Sequence, residues 1–153
     1  MTQEMKQYYT RRIANANRTG MVVLTYEIAL QYLSDARDAK THEEFEEAVR
    51  MARRCVEQLR EALDYKYGLS FTLVRLYDFI TIEMDKAIYR RDASCFEESG
   101  KILETMHDSF EKIQDQDQSA PLMQNAEAVY SGMTYGRNGA NESTDGVNRG
   151  FTV

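Results

Sequence analysis

The stretch Ala39–Gly68, "AKTHEEFEEAVRMARRCVEQLREALDYKYG", decides the fold. Phe45, Ala48/Val49, Ala52, Val56, Leu59 and Leu63 recur at alternating spacings of three and four. That rhythm is a helix with one apolar seam turned toward other helices. Thr41 and Glu44 have the spacing of a capping box, and Glu43 and Glu44 place negative charge where the helix dipole favours it. The reading ends this helix at Gly68.

The pattern continues on both sides. Downstream, Ser70 is the expected cap of "FTLVRLYDFITIEMDKAIYRR", in which Leu73, Leu76, Tyr77, Ile80, Met84, Ala87 and Ile88 share a broad face. Phe79 and Ile82 fall outside it, among Arg75, Asp78, Glu83 and Lys86. A second capping box, Ser94 and Glu97, opens "SCFEESGKILETMHDSFEKI", with Phe96, Ile102/Leu103, Met106, Phe110 and Ile113 as its seam. Gly100 inside it lowers helix propensity and permits close contact. Upstream, "YYTRRIANA" is a short helix or turn with too few apolar residues to stand alone.

Thr19–Leu33, "TGMVVLTYEIALQYL", is apolar on more than one side. At about 100° per residue, Met21, Leu24, Ile28 and Tyr32 share an arc of roughly 80°. Val23, Tyr26, Leu30 and Leu33 form a second stripe. One seam cannot bury both. The second stripe is covered by the protein's own N- or C-terminal segment, offered to another chain, or each in turn.

These readings give an all-α protein: an antiparallel four-helix bundle with a short N-terminal helix or turn and a flexible C-terminal tail. Short connections make neighbouring helices antiparallel. The expected division is a bundle over 1–116 and a linker and mobile tail over 117–153. In the tail, Leu122, Ala126, Val129 and Met133 make a short amphipathic segment behind Pro121, and the part after Gly136 is rich in Gly and Asn.

Composition narrows the function. The 153 residues carry a net charge of -6, which leaves no basic stripe for nucleic acid. No apolar run approaches membrane-spanning length, and "MTQEMKQYYTRR" is not read as a signal peptide. Cys55 and Cys95 are expected to be reduced thiols. A di-metal bundle site would need two Glu-x-x-His motifs and two further glutamates. Only Glu104 and His107 have the spacing, and His42 has no matching glutamate, so no metal or other cofactor is expected. No nucleophilic triad, CxxC or phosphate loop is present, and the reading is not of an enzyme. The 10 tyrosines are more telling. Several lie beside apolar stripes, where a ring with a polar tip suits a protein interface.

"YYTRRIANANRTGMVVLTYEIAL" resembles the opening of the FliS family, the flagellin-specific export chaperones. The matching residues are Tyr8, Ile13, Ala16, Met21, Val23, Leu24, Tyr26 and Glu27. A second motif similar to the family's is "LYDFI", Leu76 to Ile80, followed by Met84, Ala87 and Ile88. Arg18 stands where the family usually has proline, and Ile28 where it often has a small residue. The resemblance implies a cytoplasmic helical bundle that binds the C-terminal segment of flagellin, prevents premature polymerisation and delivers the subunit to the export gate. With the apolar excess, it makes Tyr8, Ile13, Val23, Tyr26, Leu30, Leu33, Leu73, Tyr77, Ile80 and Met84 the expected contact or groove residues, with Tyr26, Leu30 and Leu33 foremost. The competing reading is a self-associating helical adaptor whose apolar excess is a dimer seam. The oligomeric state is left between monomer and weak dimer.

Overall fold

A computed structural model describes residues 1–123. Among them the chain is all-α, as expected: α1 (Gln3–Asn15), α2 (Arg18–Asp38), α3 (His42–Glu61), α4 (Leu69–Arg90) and α5 (Glu97–Gln114), with a 3-10 turn, Ala93–Phe96, before α5. The expected amphipathic segment Leu122–Met133 and the Gly-rich stretch lie largely or wholly outside the described residues.

Cross-helix contacts show the direction of each neighbour. Arg60 Nε meets Asp78 at 2.7 Å and Arg53 Nε meets Asp85 at 2.9 Å, so α3 and α4 run antiparallel. Glu27 meets His107, while Arg37 near the end of α2 lies over Phe96 near the start of α5, so that pair is antiparallel too. α2 packs mainly on α3 and α5, and α3 packs on α4. The four helices close a ring in which α2 and α4 are diagonal.

At its centre the phenol hydroxyls of Tyr26 and Tyr77 hydrogen-bond across that diagonal. Both rings are buried, and burial raises both hydroxyl pKa values. Each hydroxyl gives the other the partner that burial demands. Phe110 packs against Tyr26 with ring centroids 5.7 Å apart, and Val23, Leu33, Val49, Val56, Ile80, Met84, Phe96 and Leu103 are among the other fully buried side chains.

Several helix ends differ from expectation. The Thr41–Glu44 capping box is present. α3, however, stops at Glu61, and Gly68 caps the start of α4 rather than the end of α3. Ser70 lies inside α4, buried, with its hydroxyl donating to the Asp64 carbonyl at 2.6 Å. It pins the α3–α4 loop instead of capping a helix. Ser94 is not an N-cap: Asp92 caps the 3-10 turn by accepting from the Ser94 N–H. α2 is capped by Asn17, not Thr19. Arg18 therefore occupies the first helical position, where proline is well tolerated. The close neighbour of Gly100 is the Arg37 guanidinium, 3.3 Å from where a Cβ would stand. Cys55 and Cys95 are free thiols, and burial pushes the Cys55 pKa up to about 11.

Past α5 the polar linker returns across the α1–α2 turn. Asn17 Nδ2 donates to the Asp117 carbonyl, Thr19 Oγ1 to the Asp117 carboxylate at 2.5 Å, and the Leu122 N–H to the Ala16 carbonyl at 3.0 Å. Hydrogen bonds from Ser119 and Thr19 hold the Asp117 carboxyl down at about 2.

Candidate functional site

The structure separates the two apolar stripes of α2 and reverses their expected roles. Val23, Tyr26 and Leu33, expected to be the spare stripe, are buried at the bundle centre. Tyr26 points inward because its hydroxyl is satisfied by Tyr77. Leu30 is half-buried against the same core. Met21, Ile28 and Tyr32 are half-buried and face outward, with the buried Leu24 beneath them.

These outward residues floor a groove. One cleft, of about 550 Å³, is lined by Ile13 of α1, by Met21, Leu24, Ile28 and Tyr32 of α2, and by Met51 and Cys55 of α3, among others. A second cleft of about 460 Å³ shares Tyr32 and Met51 and continues to Met1, ahead of α1, to Lys6 of α1 and to Glu47 of α3. The groove thus runs along α2 and α3, with α1 as one wall. Its floor is aliphatic, aromatic and thioether; its α3 side carries Glu57, Glu61 and Arg54. The signal for it was in the sequence as the Met21–Ile28–Tyr32 arc. What sequence reasoning missed was Met51, outside the α3 seam register of Ala48, Ala52 and Val56, and Cys55, a buried residue at the edge of that seam.

The wall is thinly attached. Ala14 is the one buried residue that α1 contributes. Its attachments are polar: Arg12 grips Glu27 with both terminal nitrogens, and the Met1 amino group lies 2.5 Å from Asp35 Oδ2. Glu27 is also 3.3 Å from His107 Nε2, and His107 Nδ1 is 3.1 Å from Asp108. Burial works against the protonated imidazole, but the hydrogen bonds to Asp108 and Glu27 outweigh it and raise the His107 pKa.

The remaining expected residues divide by burial. Leu73, Tyr77, Ile80 and Met84 are core residues on the inner face of α4 and offer no surface here. Ile13 lines the groove. Tyr8 is exposed on α1, edge-on to Tyr9, with Arg12 over its ring. Glu104 is exposed and apart from the one grouping of ligand-type atoms found among the described residues, His107, Asp108 and Glu111. His107 there is engaged by Glu27. Among the described residues no helix is long and apolar enough to cross a membrane.

A family model described as flagellar protein FliS matches residues 1–117. No curated protein matches the chain.

Proposed function

The chain belongs to the FliS family, and from that premise we propose that its α2–α3 groove receives the C-terminal segment of flagellin as an amphipathic helix. The family is one of flagellar export chaperones acting on flagellin.

The observation that carries it is the contrast between floor and wall. Leu24, Ile28, Tyr32 and Met51 make an apolar floor, of the kind that takes a helix by its i, i+3, i+4 and i+7 residues. Methionine adapts its shape to such a guest. The wall, α1, is held chiefly by ion pairs. These pairs are part-buried, but α1 adds only one buried side chain, so little apolar burial opposes its moving aside, and the client's apolar face takes the vacated contact. A client held this way cannot polymerise through the same segment. Delivery to the export gate follows as the second half of the role, with Tyr8 on the movable helix available to a further partner.

Calorimetric titration with the C-terminal flagellin segment of the same organism tests this. Expected are one-to-one binding and a negative heat-capacity change from apolar burial. Ile28→Asp and Met51→Asp, both at half-buried positions, should each weaken binding about tenfold or more while leaving helix content unchanged. Wild-type affinity in both folded variants would overturn the assignment of the groove.

A further inference from the structure

α4 carries two opposite faces. Leu73, Tyr77, Ile80, Met84 and Ala87 point into the bundle. At about 100° per residue, Phe71, Arg75, Phe79, Ile82, Lys86 and Tyr89 fall on the reverse side, within an arc of about 80°. Phe71, Phe79, Ile82 and Tyr89 are 57%, 40%, 54% and 90% exposed, and Tyr65 extends the patch, its ring 5.5 Å from that of Phe71. A contiguous stripe of large apolar side chains on one exposed helix marks an interface rather than a solvated face. No residue of α4 lines the groove on α2 and α3, so this stripe is a separate surface.

The charges within the stripe select its occupant. We propose that α4 pairs with α4 of a second copy of this chain, antiparallel, with Ile82 on the two-fold axis. In that register residues whose numbers sum to 164 face each other. Asp78 of each protomer then meets Lys86 of the other, twice by symmetry. Arg75 comes over the Tyr89 ring, a cation–π arrangement, and Phe79 flanks the central Ile82 pair. A parallel pairing instead sets Arg75 on Arg75 and Lys86 on Lys86. Asp78 already accepts from Arg60 Nε at 2.7 Å, and Lys86 Nζ reaches Glu83 at 2.7 Å. Both are surface contacts, which leave a carboxylate lone pair and ammonium protons for the new partner. One helix stripe is small beside a standard interface of about 1,600 Å², so the dimer is a weak one that forms at high concentration.

Sedimentation equilibrium of the full chain from about 5 to about 300 μM, spanning the range of weak association, tests the pairing. A reversible monomer–dimer equilibrium is expected. Ile82→Glu should raise the dissociation constant about tenfold or more, with circular dichroism unchanged because the residue is exposed. Lys86→Asp should weaken the dimer, and Asp78→Lys combined with Lys86→Asp should restore it. A monomer throughout, a dimer indifferent to Ile82→Glu, or a charge swap that fails to rescue would each overturn the proposal. So would weaker flagellin binding by Ile82→Glu with self-association unchanged, which would give the stripe to the client. Loss of client binding by groove variants leaves this proposal standing.

Discussion

α1 and the α2–α5 bundle are joined to the same chain by opposite means. The bundle is closed by buried side chains from all four helices and by one hydroxyl pair at its centre. α1 contributes one buried alanine and is fastened by Arg12 and Met1 to carboxylates on α2. The first kind of attachment is cooperative and is lost only by unfolding. The second can open locally while the rest persists. A groove whose wall is of the second kind and whose floor is of the first can change its contents without losing its shape.

Changes that erase the difference should have the largest effects. Leu33→Ala, at a fully buried core position, should cost about 2–5 kcal/mol in denaturant unfolding and loosen floor and wall together. A smaller loss would mean that the core collapses around the gap. Next comes the hydroxyl pair. Tyr77→Phe should cost about 1–3 kcal/mol by leaving the buried Tyr26 hydroxyl without its partner. Tyr26→Phe with Tyr77→Phe should recover most of that loss. Full additivity in the double-mutant cycle would show that the two hydroxyls do not depend on each other.

The wall should respond on a different scale. Arg12→Ala removes a bidentate, part-buried pair and should change global stability by about 1 kcal/mol, while backbone amides of α1 lose hydrogen-exchange protection and those of α2 keep theirs. Loss of protection in both helices would show that α1 belongs to the bundle's cooperative unit. The smallest expected effect is a pH dependence. The His107 pKa is raised in the folded chain, so its stabilising contribution is complete below the ordinary histidine value of about 6.5. That contribution is lost as pH rises through the higher folded value. Stability should therefore fall on going from slightly acid to alkaline conditions, and His107→Gln should flatten the slope.

The sequence made the bundle legible where local chemistry and tertiary demand agree. In α3 the capping box, the acidic first turn and the seam of Phe45, Val49, Ala52, Val56 and Leu59 all point one way, and all are found. α2 was legible as the central helix, because two apolar stripes cannot both face one seam. Which stripe turned inward was not legible. The choice depends on the meeting of Tyr26 with Tyr77, 51 positions away, and no local pattern records that. The helix ends failed for a related reason. Ser70 and Ser94 are plausible caps by type, but Ser70 is spent on the Asp64 carbonyl and Asp92 takes the role expected of Ser94. The outward residues Phe79 and Ile82 were legible as excess, and they are exposed.

The strap formed by Asp117, Ser119 and Leu122 has a consequence in the order of synthesis. Asn17 and the Asp117 carbonyl stand 100 positions apart in sequence, and the Leu122 amide closes on Ala16 at the foot of α1. A nascent chain has α1, α2 and α3, and so every residue lining the groove, long before it has this strap. The pivot of the movable wall is the last piece of the described chain to be made, and the groove's elements precede the device that fixes where its wall turns.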